Sequence, residues 1–242
     1  MSRAAPDTLF AIARVTPQWR RRGVGSALLA TLSDYAREKD LGHLLGRIDE
    51  TDADSLTWAE HRGFIEIARE TSLLLTLADV RDGPEPPRPA GVELVSFAER
   101  RELAAAAHQI ECEAILDIPG AFPQSPTNFE AWLAANVELP GFLAAGSLVA
   151  LHDGQPVGYA GLARVDNNVA QHLLTGVLRT ARRRGIATAL KRAQIAWARR
   201  DGYQQLVTWT SSRNDPMRSI NLKLGYIEQQ ASIVVRGPLK DG

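Results

Sequence analysis

Two stretches of this chain carry the residue types that hold an anion: RRRGIATALK, from Arg182 to Lys191, and RRRGVGSALLA, from Arg20 to Ala30. In each, three arginines precede a glycine, and a run with helical spacing follows. A strand that feeds into a helix leaves the helix's first N–H groups without internal partners, and the helix dipole adds to their attraction for negative charge. Gly185, or Gly23 in the first stretch, takes backbone conformations that other residues resist and lets a ligand come close to the chain. Ala187, or Gly25, keeps that approach clear. The arginines add charge-assisted donors, each worth about 1.5–3 kcal/mol toward a charged partner. This is the chemistry of a pyrophosphate cradle. A nucleotide P-loop needs GK[ST] after its glycines and a dinucleotide fold needs GxGxxG, and neither stretch has them.

The elements that must position these loops also come twice. At an offset of 162 residues, the separation of Gly23 and Gly185, Val15 meets Val177 and Ala27-Leu28 meets Ala189-Leu190. Ala36-Arg37 meets Ala198-Arg199, Leu44 meets Leu206, and RGFIE (Arg62 to Glu66) meets LGYIE (Leu224 to Glu228), with no gap. Each copy reads as strand, loop, helix, strand, helix, strand. In the second, 169–178 is the strand, and Ile186, Ala189, Leu190, Ala193 and Trp197 form one helical face. Val24, Ala27, Leu28, Thr31 and Tyr35 repeat that face in the first. A buried strand at 204–210 and a short helix over 217–224, stopped by Gly225, complete the second copy.

Only the second copy has a lead-in: a strand at 91–97, helices at 99–116 and 128–137, and a hairpin over 147–165 around the turn DGQP. RDGPEPPRPAG, residues 81–91, cannot continue a helix or a central strand and reads as a linker. The expected division is therefore a partial domain at 1–80, the linker at 81–91 and a complete domain at 92–239.

Composition excludes several classes of function. Lys plus Arg and Asp plus Glu both number 28 among the 242 residues, so the chain is not generally basic in the manner of many nucleic-acid binders. Cys112 is the sole cysteine, which rules out an internal disulfide and a multi-thiolate zinc site, and no metal is expected. No apolar run is long enough to span a membrane, and the start lacks signal-peptide regions, so the expected setting is the cytoplasm.

The order of elements, the stretch VLRTARRRGIATALK and the downstream NDPMRSINLKLGY (Asn214 to Tyr226) resemble the GNAT superfamily of acyl-CoA-dependent N-acetyltransferases. The resemblance covers essentially all of 92–239, and residues 1–80 resemble only the latter half of that fold. It looks like the tandem GNAT type, of which mycothiol synthase is an example, with an incomplete first copy. The implied architecture is α/β (α+β): a mixed central sheet flanked by helices. The implied cofactor is acetyl-CoA as acyl donor, without a metal. Its pantetheine arm would pair with Val177, Leu178 and Arg179, and its pyrophosphate would lie on the amides of Arg182, Arg183, Arg184, Gly185, Ile186, Ala187 and Thr188. Asn214 and Asn221 would face the same cofactor. A second candidate cradle comprises Val15, Arg20, Arg21, Arg22, Gly23, Val24, Gly25 and Ser26.

The resemblance implies direct attack of an acceptor amine on the thioester, with a base or water chain, an oxyanion donor such as the Val177 N–H, and an acid for the leaving thiolate. Here the sequence departs from the family. Gln171 stands where a glutamate base is common, and Asn221 where a tyrosine acid is common. The candidates for these roles are His172, Tyr159, Ser212 and Asp117, beside the acidic residues Glu111 and Glu113. Tyr226, Cys112, Trp197 and Trp209 read as core. A non-catalytic acyl-CoA-binding or regulatory module is the alternative. The expected acceptor is a small-molecule amine, with no nucleic acid or membrane partner. The first copy has Asp52 and Ala59 in place of the two asparagines and is not expected to be catalytic. Its missing front strands expose a sheet edge, which the second domain or, in a homodimer, a second chain would cover.

Overall fold

A computed structural model describes residues 7–80, 88–119 and 127–240, so the expected linker, apart from 88–91, lies outside the described residues. The first half forms β1 (Thr8–Phe10), α1 (Val24–Glu38), β2 (His43–Asp49), α2 (Ala53–Glu60) and β3 (Ile65–Thr76). The second half opens with β4 (Val92–Ser96), α3 (Ala104–Ile115), α4 (Phe129–Asn136), β5 (Leu148–His152) and β6 (Gln155–Asp166). It closes with β7 (Val169–Val177), α5 (Ile186–Arg200), β8 (Gln205–Ser211), α6 (Asp215–Lys223) and β9 (Ile227–Pro238). Both cradle helices, α1 and α5, have 15 residues, and every element from α1 to β3 starts 162 residues before its counterpart.

Local chemistry explains the boundaries. Asp153 and Gly154 both have positive φ in the β5–β6 turn, the pairing that suits a two-residue hairpin. The Asn128 side chain accepts from the Ala131 N–H and starts α4. Asp52 and Asn214, counterparts at the 162-residue offset, do the same for α2 and α6, accepting from Ser55 N–H and Met217 N–H.

All nine strands form one mixed sheet in the order β1-β2-β9-β3-β8-β7-β6-β5-β4, with β1–β2 and β7–β8 parallel and the other pairs antiparallel. The two halves exchange their last strands: β3 lies between β8 and β9, and β9 lies between β2 and β3. The exchange is reciprocal in register. Asp49 pairs with Ser232, and Ser211 pairs with Glu70. Glu70 and Ser232, themselves counterparts, pair with each other and mark a local two-fold axis.

Helices α3 and α4 cover one face of β4–β7, where Val95, Val149, Tyr159 and Trp132 pack together. Helix α5 covers the other, where Ala150, Ala160 and Val177 meet Ile186 and Leu190. The first half has no such front layer among its described residues, and β1 remains an edge strand paired only with β2. The described part of the second half does not cover that edge.

Candidate functional site

The two cradles have the same backbone. Gly185 caps α5 with φ 80°, and Gly23 caps α1 with φ 83°, a left-handed region that disfavours any other residue. Two residues earlier, Arg183 and Arg21 both take φ 61°. Arg182 Nε donates to the Val177 carbonyl at 3.0 Å, and Arg20 Nε donates to the Val15 carbonyl at 3.2 Å. Each first arginine thus ties its loop to the end of its strand, and neither helix start has a side-chain cap. The uncapped amides at 185–188 fit a phosphate group; among the described residues a side chain on Gly185 would meet only Pro89, and one on Gly23 would meet nothing within 4 Å.

Both cradles follow a parallel strand pair of three residues, β1–β2 in the first copy and β7–β8 in the second, and the side chains around them differ. Beside α5, strands β7 and β8 pair only through Val169, Ala170 and Gln171, and beyond that point they part. β7 stays bonded to β6 through Val177, and the Leu178 N–H goes to the Val157 carbonyl. Because successive residues alternate sides, the Val177 N–H faces away from β6, toward the gap. The gap therefore presents the Val177 N–H and leads to the start of α5. Beside α1, the Trp58 indole stands 3.6 Å from where a side chain on Gly25 would begin. Arg62 stacks on Trp58 at 4.1 Å and donates to Ser26 Oγ at 3.2 Å, so both side chains pack beside Gly25 and Ser26, while Gly23 itself is exposed. Arg22 stacks on the exposed Trp19 at 5.3 Å, turned aside from the loop.

An ionic clamp joins the α3 side of the sheet to the second cradle. Arg179 reaches both Asp117 oxygens, with Nε at 2.8 Å and Nη2 at 2.6 Å, while Arg182 Nη1 lies 2.7 Å from the same carboxylate. Glu113 accepts from the Arg179 N–H at 2.5 Å. The bonds from Arg179 and then Arg182 hold the Asp117 carboxyl well below the usual carboxylate range.

The other predicted residues lie apart. Tyr159 is wholly buried on β6, its ring 5.6 Å from Phe97 and 5.9 Å from Trp132. Ser212 is exposed after β8, its N–H donating to the Arg69 carbonyl. Glu111 is buried and accepts from Trp132 Nε1 at 2.7 Å, and Cys112 Sγ lies 3.2 Å from His108 Nε2. Trp209 lies under the Arg47 guanidinium at 4.5 Å. Trp197 packs against Tyr203 at 5.8 Å.

His172 is the first residue of β7 past its last pairing with β8, and it is buried. Gln194 fixes its tautomer. The Gln194 amide nitrogen donates to the carbonyls of Gly146 and Ala160, both at 3.1 Å, so its oxygen faces His172 Nδ1 at 3.0 Å and that nitrogen carries the proton. Nε2 is then an acceptor, and Tyr226 Oη donates to it at 2.6 Å. Burial first, and the nearby Lys191 second, push the His172 pKa well down, against the opposing bond from Gln194. Burial likewise pushes Tyr226 up and Lys191 down to about 7. Reading the sequence for motifs missed Lys191 and Gln194 and took Tyr226 for plain core. The repeat carried a signal for them: polar residues in the second copy where the first is apolar.

The family model described as "Acetyltransferase (GNAT) family" matches residues 11–64 and 112–226, well over half of the chain, and the chain belongs to that family. Solved structures agree in fold. A GCN5-related N-acetyltransferase from Sphaerobacter thermophilus shares 20% identity at TM-score 0.77, over 98% of this chain and 74% of its own. A tandem GNAT protein from the clavulanic acid biosynthesis pathway shares 23% at 0.72, over 96% and 76%. A GCN5-related N-acetyltransferase from Kribbella flavida shares 22% at 0.59, over 89% and 75%. No curated protein sequence matches the chain.

Proposed function

We propose that this acetyltransferase transfers the acetyl group of acetyl-CoA to the amine of a small-molecule acceptor, at one working site in residues 92–239. The observation that carries the reading is the open gap between β7 and β8 running to the uncapped start of α5. The amides of residues 182–188 and the arginine side chains hold the pyrophosphate, and the backbone from the end of β7 to Arg179 lines the pantetheine arm. Acetyl-CoA supplies an activated thioester. The Val177 N–H stabilises the oxyanion as the acceptor nitrogen attacks.

Among the described residues, neither His172 nor Asp117 is placed to act as the base. His172 is buried with both ring nitrogens engaged, and Asp117 is held ionised by two arginines. The amine proton therefore leaves through water, and the acceptor is taken up as the neutral amine. Glu113 and Asp117 close the acceptor side. The first cradle, with Trp58 and Arg62 packed beside Gly25 and Ser26 and with Asp52 and Ala59 in place of the two asparagines, is a packing element rather than a second catalytic site. The protein functions as a metal-free cytoplasmic enzyme, and a second copy of the chain is a candidate cover for the β1 edge.

The test is thiol release from acetyl-CoA across a panel of primary amines. Acceptor-dependent turnover that Gly185→Glu abolishes supports the reading. Acetyl-CoA binding without turnover on any amine would leave the non-catalytic binding module in its place.

A further inference from the structure

Five buried polar side chains meet where β7 and β8 part: His172 (4% exposed), Lys191 (1%), Gln194 (0%), Asn221 (0%) and Tyr226 (2%). At the 162-residue offset the first copy has Phe10, Leu29, Leu32, Ala59 and Phe64. Leu29 and Ala59 are buried there too, and Leu32 and Phe64 pack against the same small core. The fold therefore holds with apolar residues at these places. Burying polar groups instead costs stability unless each is bonded, and here two are not. Among the described residues, Lys191 Nζ has no hydrogen-bond partner, and neither amide atom of Asn221 has one. Lys191 Nζ stands over the Tyr226 ring, 5.4 Å from its centroid.

The position of Lys191 suggests what its charge answers to. It is five residues into α5 from Ile186, so it lies roughly 7.5 Å along the axis from the helix start. Side chains on a helix lean toward its N-terminus, which here is the cradle. The titratable groups facing it are His172 on β7 and Tyr226 ahead of β9, and β8 contributes none. On α6 and β9, Arg218 and Glu228 pair with each other, while Arg184 and Arg192 on either side of Lys191 are exposed. No carboxylate among the described residues neutralises Lys191.

We propose that Lys191 is a charge-matching residue for the cofactor: binding of the anionic acyl-CoA at the start of α5 draws a proton onto its amine, so that cofactor binding and protonation of this cluster are linked. This rests on the cofactor reading of the second cradle given above. Lys191 is a positioning residue. It touches no reacting atom, and its ammonium, absent from the first copy, gives the second cradle a buried positive charge that water screens little. The sign follows from burial. The amine titrates near pH 7 in the free protein and higher once phosphates lie nearby, so protons are taken up on binding above about pH 7.

The test is calorimetric titration of acetyl-CoA, which has no free thiol, in two buffers of different ionisation enthalpy at pH 8. Wild type, Lys191→Met and Lys191→Leu are compared, the last carrying the residue of the first copy. The ligand's own phosphates titrate alike in all three, so the difference isolates Lys191. Wild type should take up nearly one proton more per acetyl-CoA than either variant. Its affinity should fall roughly tenfold between pH 7 and 8.5, while that of the variants stays nearly flat. Binding with equal proton uptake in all three proteins would overturn this inference and leave the cofactor reading standing. No binding to wild type at either pH would remove both.

Discussion

The first and second copies hold nearly the same backbone at their RRRG loops and differ in almost everything that touches those loops. Gly23 and Gly185, Arg21 and Arg183, and the two Nε bonds to strand carbonyls agree closely. Both copies have a parallel strand pair of only three residues, but around the loop the second copy has an acidic clamp and a buried polar cluster. The first has Trp58 and Arg62 beside Gly25 and Ser26 and apolar residues in place of the cluster. The loop is thus a way of starting a helix, and binding depends on what leaves it open. Ile12, Trp19, Leu28 and Tyr35 are exposed in the first copy, whereas their counterparts Leu174, Ala181, Leu190 and Trp197 are buried or half-buried in the second.

The largest expected effect breaks the comparison at its seam. Residues 92–239 expressed alone lose β3 from between β8 and β9. That exposes two strand edges in the middle of the sheet, and circular dichroism and hydrogen exchange should show no cooperative fold. Adding the first 80 residues as a separate chain should restore it.

Next come the matched core positions. Leu190→Ala removes a side chain that is wholly buried against β5–β7 and should cost about 2–5 kcal/mol in denaturant unfolding. Leu28→Ala, on the exposed counterpart, should stay within roughly 0.5 kcal/mol. Equal losses would mean that α1 is covered in solution.

A smaller effect is tied to pH. Lys191 titrates near 7 when folded and in the ordinary lysine range when unfolded. Between those values the unfolded chain binds more protons, so stability rises with pH, by at most about 1.4 kcal/mol per pH unit from this group. Lys191→Leu should be the more stable protein at pH 7, with the gap closing toward pH 10. Thermal unfolding of both across that range checks the sign.

The smallest effect concerns the clamp. Asp117→Asn removes a negative charge from Arg179 and Arg182 and should tighten acetyl-CoA binding a few-fold at low salt. It should also remove a stabilising contribution that is present above the unfolded carboxyl pKa and lost as pH falls through the lower folded value. Titrations at two salt concentrations, with unfolding scans, measure both.

Much of this was legible in the residues. The repeat, the two glycine-capped helices and the DG hairpin all follow from spacing and turn chemistry, which are local properties. The strand exchange was not legible, because β3 and β9 are alike in sequence pattern and nothing in either says which neighbour it joins. The fate of the candidate acids and bases was not legible either. Whether Asp117 meets two arginines, or His172 meets Gln194 and Tyr226, depends on contacts between residues far apart in the chain. The polar cluster was visible only on setting the copies side by side, where five substitutions from apolar to polar fall at one place in the fold.

The most direct measurement is the stoichiometry of acetyl-CoA binding by calorimetry, for wild type beside Gly185→Glu and Gly23→Glu. Both variants place a charged side chain at a left-handed glycine, so each is the other's control for backbone strain. The account predicts one site per chain, lost in Gly185→Glu and retained in Gly23→Glu. Two sites, or a single site lost only in Gly23→Glu, would contradict it.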